Sequence, residues 1–132
     1  MAAIDRERAL ALVGTPFRAQ GRNPESGLDC VGLVLAACDL PAEGVRRDYQ
    51  LRGNHQQELI KALQHRFRRI GRREVRDGDL MLAAVSEDQV HLAIMTGRGF
   101  VHADAALRRV VETPGPPPWP VAGFYRKRAK RI

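Results

Sequence analysis

The stretch that decides the fold is Gly27-Leu28-Asp29-Cys30-Val31-Gly32-Leu33-Val34. Asp29 is a good helix-capping residue, and the apolar run from Cys30 to Ala37 has no polar side, which predicts a buried helix. Free N–H groups and the dipole at a helix N-terminus favour an anion. We therefore expect the pKa of the Cys30 thiol to be lowered and its thiolate to be nucleophilic. Gly32 leaves the backbone uncovered, which suits close approach by a substrate.

The second cysteine of the chain is Cys38, which has apolar residues before it and no polar neighbour upstream. Most cysteines in such surroundings are small buried hydrophobes, and we assign Cys38 to the core. On one helix, eight residues correspond to about 12 Å, too far for a disulfide with Cys30.

A thiolate nucleophile needs a base, and four histidines are candidates. His55 lies in a polar loop and His65 on the charged side of a helical pattern, so we assign both to solvent. His91 and His102 lie in two neighbouring apolar strands, where polar groups must find partners. The two histidines lie in adjacent strands and follow a cysteine that starts a helix. This arrangement favours a catalytic role for them over the interpretation that both are buried core residues.

The register of the hairpin between these histidines has two possibilities. A turn at Thr96-Gly97 puts His91 directly opposite His102, whereas a turn centred on Arg98 puts them on opposite faces. Because a catalytic pair must share a face, we predict the first register or a bulged version of it. That face is then expected to pack toward the N-terminal end of the Cys30 helix.

Helical patterns come first along the chain and strand patterns later. The predicted helices are residues 2–13, 30–37 and 56–70, and the predicted strands are 80–85, 91–95, 100–103, 108–112 and 121–125. Residues 21–27 have the composition of a loop. We predict one α+β domain over residues 1–125, with helices packed on an antiparallel sheet, and a solvated basic tail over 126–132 whose removal costs little stability.

Length and composition exclude several classes of protein. The 132 residues suffice for one domain, and no apolar run approaches the roughly 20 residues that span a bilayer. Charges interrupt the N-terminal apolar pattern, so no signal peptide is expected and synthesis is assigned to the cytoplasm. Cysteines and histidines show no paired zinc-ligand spacing, and we predict no metal and no cofactor.

The net charge of +7 arises from 22 Lys and Arg against 15 Asp and Glu. Six arginines lie between Arg66 and Arg76, and five more cations lie in the tail. Such an excess of positive charge suits carboxylate-rich substrates, and it suits nucleic acid almost as well. No aromatic residues alternate with the basic runs, as single-strand binders require, so a solvated basic face is favoured over nucleic-acid binding.

Five blocks of the sequence resemble the NlpC family of cell-wall cysteine peptidases, in its compact phage-associated branch. They appear in the family's order and span residues 9–125. The blocks are Gly14-Thr15-Pro16-Phe17, Gly27 to Leu33, Gly78-Asp79-Leu80, His91-Leu92-Ala93-Ile94 and Phe100-Val101-His102-Ala103.

The resemblance implies a papain-like α+β fold and hydrolysis of peptidoglycan stem peptides, typically at the D-γ-glutamyl–meso-diaminopimelate bond. It implies Cys30 as nucleophile, His91 as general base and acid, and His102 as the residue that orients His91. The expected substrate-binding residues are Phe17, Asp29, Val31 and Gly32. The family commonly has Tyr where this chain has Phe17 and Ser where it has Val31, which leaves the triad intact but removes two polar groups.

Other functions stay open at this stage. The fold could serve structurally in a phage tail or virion, with tail proteins as partners, or the triad could act as an amidase or transferase. A basic nucleic-acid-binding domain is the remaining alternative. The expected place of action is the cell wall or periplasm, reached with a phage particle, through a holin-type leak or by a specialised secretion route.

Overall fold

The computed structural model describes residues 2–40, 56–86 and 89–128. The helices are α1 (Ala2–Ala11), α2 (Cys30–Ala37) and α3 (Gln56–Arg66), and a short 3-10 turn covers Arg72–Glu74. The bounds of α2 are those that the sequence predicts. No described helix is long and apolar enough to cross a membrane.

Within the described residues, eight strands form two antiparallel sheets. They are β1 (Arg22–Asn23), β2 (Gly27–Leu28), β3 (Phe67–Ile70), β4 (Leu80–Ser86), β5 (Gln89–Met95), β6 (Gly99–Asp104), β7 (Arg109–Pro114) and β8 (Val121–Lys127). The first two make a small hairpin where residues 21–27 are predicted as a loop, and the hairpin extends one residue further, to Leu28. The other six form one sheet in the order β3-β8-β4-β5-β6-β7, with every pair antiparallel.

The third predicted helix is wrong in its last turn. Phe67 and Ile70 continue the helical spacing of apolar residues, but α3 ends at Arg66 and residues 67–70 form β3. This strand pairs with β8, with Phe67 opposite Lys127 and Ile70 opposite Phe124. The pairing satisfies a row of backbone groups on β8 that a longer helix would leave without partners, and the helical period cannot reveal that long-range gain.

The basic tail begins later than the sequence predicts. Arg126 and Lys127 belong to β8. The Arg126 guanidinium donates to both carboxylate oxygens of buried Asp79, at 2.9 and 2.8 Å. The Lys127 ammonium contacts the buried Asp5 carboxylate at 3.2 Å. Buried carboxylates need such partners, so these cations are part of the fold, and residues 129–132 lie outside the described residues.

Two apolar clusters lie on the two faces of the large sheet. The larger cluster packs α1, α2 and α3 on one face, where β5 and β6 contribute Leu92, Ile94, Val101 and Ala103. The smaller cluster, on the other face, contains Ala93 and Phe100 with residues of β3, β4 and β8. Helix α2 therefore packs on the face opposite Ala93 and Phe100. By alternation along β5 and β6, Ala93 and Phe100 share their face with His91 and His102, so the prediction that the histidine face packs toward α2 is wrong.

Candidate active site

The N-terminal end of α2 is held by the carboxylate of Asp29. Its Oδ1 atom accepts hydrogen bonds from the Gly32 N–H at 2.8 Å and from Arg22 at 2.7 Å, and its Oδ2 atom accepts from the Gln20 N–H at 3.1 Å. The Arg22 side chain is 3% exposed and that of Asp29 is 9% exposed. Asp29 caps the helix as predicted, and its carboxylate is occupied by partners within the protein.

Gly32 has a packing role that differs from the predicted one. A Cβ atom at this position would overlap the backbone carbonyl of Gly21 and crowd Leu28. Neither Gly32 nor Val31 lines the cavity described below, whereas Phe17 and Asp29 do. The absent side chain lets α2 approach the loop before it, and the expected approach of a substrate to Gly32 does not follow from the structure.

The Cys30 thiol is buried, with 1% of the residue exposed. Burial raises its pKa to about 12, and the negative charge of Asp29 acts in the same direction. Hydrogen bonds with the backbone of Leu92 and Val31 lower the pKa by less. The prediction of a lowered pKa is wrong because desolvation outweighs the helix terminus. The resting side chain is a neutral thiol, and its contact with Leu92 puts the sulfur beside the strand that carries His91.

His91 and His102 contact each other directly. Nε2 of His91 lies 3.0 Å from Nδ1 of His102, and Nε2 of His102 lies 3.0 Å from Oγ1 of Thr113. Two tautomer patterns satisfy both contacts. In one of them His91 donates to His102 and His102 donates to Thr113, which leaves His91 Nδ1 without a proton and able to accept one.

The predicted register of the hairpin is wrong by two residues. Ile94 pairs with Val101 and Met95 with Phe100, and the Thr96 N–H donates to the Gly99 carbonyl at 2.9 Å. The turn therefore consists of residues 97 and 98. A shift of two residues keeps side chains on the same face, so the two histidines share a face as expected although they are not directly opposed.

Both histidines are neutral at neutral pH. Burial lowers the pKa of His91 from its ordinary 6.5 to about 4, and the neighbouring His102 adds to this effect. Burial lowers the pKa of His102 as well. The negative charge of Asp104 acts in the opposite direction on both rings. Neutral imidazoles that line the same cavity as a neutral thiol have the protonation state that general-base catalysis requires.

Two residues of this site are not among the site residues that the sequence predicts. Thr113 accepts or donates at His102, as described, and Trp119 packs against both rings with centroid distances of 5.2 Å to His91 and 5.6 Å to His102. Trp119 lies in a proline-rich connection that indicates extended chain but gives no sign of a contact with the histidines. For Thr113, the pairing of β6 with β7 supplies the contact, and no local pattern indicates it.

A cavity of about 640 Å³ joins these groups. It lies where β4 ends, β5 begins and β6 ends, next to the start of α2. Its lining residues are Phe17, Ala19, Gln20, Asp29, Cys30, Val85, Gln89, His91, His102, Ala103, Asp104, Ala105, Ala106 and Trp119. The structure thus brings all three residues of the predicted triad to one cavity, whereas exposed His65 lies elsewhere, on α3, and His55 lies outside the described residues.

The first turn of α2 offers one backbone donor near the thiol. The Gly32 N–H is taken by Asp29, and the Val31 N–H contacts the Cys30 sulfur. No described residue accepts a hydrogen bond from the Cys30 N–H. A donor at a helix start that lacks a protein partner is suited to stabilise a developing oxyanion. In the described ranges, no group of three or more His, Cys, Asp or Glu side chains is arranged to hold a metal ion.

Comparisons with known proteins agree with this geometry at the level of the fold. No protein-family model and no curated protein matches the chain. The NlpC/p60 domain of the peptidoglycan hydrolase SagA is 20% identical, with 86% of this chain and 89% of that chain covered and a TM-score of 0.59. The P60 domain of the antigen MAP1204 from M. avium subspecies paratuberculosis is 20% identical, with 94% and 91% covered and a TM-score of 0.58. The chain has the fold of NlpC/p60 domains, and the predicted fold class is confirmed.

Proposed function

We propose that the chain is a cysteine peptidase of the NlpC/p60 type that hydrolyses peptide bonds in peptidoglycan stem peptides. The observation that carries the proposal is the contact of 3.0 Å between His91 and His102 in the cavity that Cys30 also lines. Two neutral imidazoles and a thiol in one cavity are the groups that acyl transfer through a thioester needs. The fold shared with a domain of a peptidoglycan hydrolase supports the substrate class.

The first half of the reaction forms the acyl-enzyme. His91 Nδ1 accepts the thiol proton as the Cys30 sulfur attacks the scissile carbonyl, because the thiol is protonated at rest. His102 accepts the His91 Nε2 proton in a hydrogen bond and holds the ring while it carries positive charge, as the third member of a triad does. The Cys30 N–H stabilises the oxyanion. His91 then donates its proton to the leaving amine, and the thioester remains on Cys30.

The second half regenerates the thiol. His91, neutral again, accepts a proton from water as the water attacks the thioester carbonyl, and the acyl group leaves as a carboxylic acid while the proton returns to sulfur. The bond that we propose is the D-γ-glutamyl–meso-diaminopimelate bond. Phe17 and Trp119, which both line the cavity, supply apolar wall for the substrate backbone.

Digestion of purified muropeptides tests this function. Wild-type protein is incubated with disaccharide tetrapeptides and the products are read by mass spectrometry. We expect a new γ-D-glutamyl carboxyl terminus together with a freed diaminopimelate amine. The matched Cys30→Ala variant should give neither product, and Cys38→Ala should give both. Intact stem peptides with folded wild-type protein would contradict the proposal and favour a structural role of the fold.

A further inference from the structure

The charges of this molecule are segregated. The chain has a net charge of +7, yet none of the described residues that line the cavity is Lys or Arg. Four exposed arginines of the Arg66–Arg76 segment, Arg68, Arg69, Arg72 and Arg73, lie on β3 and the turn after it. That edge is three strand positions from β5, about 14 Å at the usual strand spacing. The excess of positive charge therefore gives no reason to expect a carboxylate-rich substrate in the cavity.

Most ionisable groups that line the cavity are neutral or neutralised. The Cys30 thiol is protonated at rest, and burial keeps His91 and His102 uncharged at neutral pH. The Asp29 carboxylate is paired with Arg22 at 2.7 Å. Asp104 is the remaining ionisable residue of the lining. It has no ion-pair partner in the parts of the chain that the structure describes.

Asp104 is held in a defined position at the C-terminal end of β6. It is half-buried, and its Oδ1 atom accepts hydrogen bonds from the N–H groups of Ala106 at 2.8 Å and Leu107 at 3.1 Å. Its Oδ2 atom has no partner among the described residues. Asp104 lies two positions after His102 on β6, so it faces the same side about 7 Å further along the strand. The turn fixes one carboxylate oxygen, and the other is available to a ligand.

We propose that Asp104 is a specificity-determining residue that binds a protonated amino group of the substrate near the scissile bond. This proposal rests on the proposed function. Apolar walls from Phe17, Val85 and Trp119 strengthen a charge pair in the cavity and make a substrate carboxylate at the same place unfavourable. A stem peptide has two suitable amines, the N-terminal amine of a stem released from its sugar and the side-chain amine of diaminopimelate.

The experiment measures binding in a Cys30→Ala background, so that no peptide is cleaved. Calorimetry gives the Kd of three stem peptides that contain the D-γ-glutamyl–meso-diaminopimelate bond. One has both amines free, one has the N-terminal amine acetylated, and one has the diaminopimelate side-chain amine acetylated. We expect one of the two acetylations to weaken binding about tenfold, as expected for the loss of a charge-assisted hydrogen bond, and this identifies the amine.

Three further substitutions separate charge from turn structure. Asp104→Asn keeps an oxygen for the turn and removes the charge, and we expect it to bind all three peptides with the same, weaker affinity. Asp104→Glu keeps the charge and should keep the preference. Asp77→Asn, which removes an equal charge at an exposed site paired with Arg6, should also keep it. If Asp104→Asn lowers the melting temperature, Asp104→Ser, whose hydroxyl can accept at the turn, takes its place.

The outcomes distinguish the two proposals. A preference for the free amine that survives in Asp104→Asn overturns the role of Asp104, and so does equal binding of all three peptides to the Cys30→Ala protein. In both cases the proposed function stands. If the folded Cys30→Ala protein binds none of the three peptides, the proposed function and the role of Asp104 fail together.

Discussion

The two ends of helix α2 carry one cysteine each, and the sulfur environments differ. Cys30 and Cys38 are both 1% exposed, and burial raises the pKa of each thiol to about 12. At the N-terminal end the thiol meets a cavity with two neutral histidines. At the C-terminal end Lys127 donates to the Cys38 carbonyl at 2.8 Å and to Asp5, where a cation suits the end of a helix. Burial and thiol pKa alone therefore do not identify a nucleophile, whereas a cavity with a base does.

The largest expected effect of this difference is on activity. Cys30→Ala should lower the turnover of muropeptides by at least about 1000-fold, because the covalent step is lost. Cys38→Ala should leave turnover within about twofold. Each variant removes one buried sulfur and should cost about 1 kcal/mol of stability. Initial rates and urea unfolding of both variants check this, and equal loss of activity in the two would contradict the assignment of roles to the two ends.

Loss of the contacts near the C-terminal end of α2 should change the stability of the protein rather than its activity. Ending the chain after Tyr125 removes Arg126 and Lys127, which pair with buried Asp79 and Asp5, and should lower the free energy of unfolding by about 3 kcal/mol or more. Ending it after Arg128 keeps both ion pairs and should cost little. Urea unfolding of the two truncated chains measures the difference. Identical midpoints would show that Arg126 and Lys127 are as dispensable as a solvated tail.

The neutral histidine at the N-terminal end makes stability depend on pH. The pKa of His91 is about 4 in the folded protein and about 6.5 in the unfolded chain, so the unfolded chain binds more protons between these values. Stability should fall as the pH drops from 6.5 to 4, and at pH 4.5 His91 should account for about 2 kcal/mol of the loss. The contribution of His91 is measured by urea unfolding at pH 7 and 4.5. The proteins compared are wild type, His91→Gln and the exposed control His65→Gln. A loss of the same size in His91→Gln would argue against a buried neutral His91.

A smaller effect is expected at Thr113, which contacts the histidine pair from β7. Thr113→Val removes the partner of His102 Nε2, so the tautomer in which His102 donates to Thr113 is no longer held. This should lower kcat about tenfold with KM nearly unchanged. Thr113→Ser keeps the hydroxyl and should retain most of kcat. Steady-state kinetics of both variants provide the check. Equal kcat values in Val and Ser variants would reduce Thr113 to a packing role.

Much of the fold can be predicted from local sequence. The bounds of α2 follow from Asp29 and the apolar run after it, and glycine, proline and charged turns separate the strands of the large sheet. The end of α3 cannot be predicted in this way, because Phe67 and Ile70 fit a helix as well as a strand. Pairing with β8, some 55 residues later, decides the matter.

The candidate site divides in the same way. Cys30, His91 and His102 follow from residue type and order, and the structure brings them to one cavity. The high pKa of the Cys30 thiol results from the packing around it. The ion pair between Asp29 and Arg22 results from the hairpin of β1 and β2, which brings Arg22 to the start of α2. Neither has a local signature. The register of the histidine hairpin was also open, since Gly97 and Gly99 permit several turns.

Alkylation of the folded protein tests the contrast between the two ends of α2 most directly. Wild-type protein is treated with iodoacetamide at neutral pH, digested with trypsin and analysed by tandem mass spectrometry of peptide 23–46, which contains both cysteines. Because Cys30 lines the cavity that the neutral His91 and His102 also line, whereas Cys38 does not, we expect modification of Cys30 well before Cys38. We also expect slower modification of Cys30 in His91→Ala. Modification of Cys38 first, or of both at the same rate, would contradict the account.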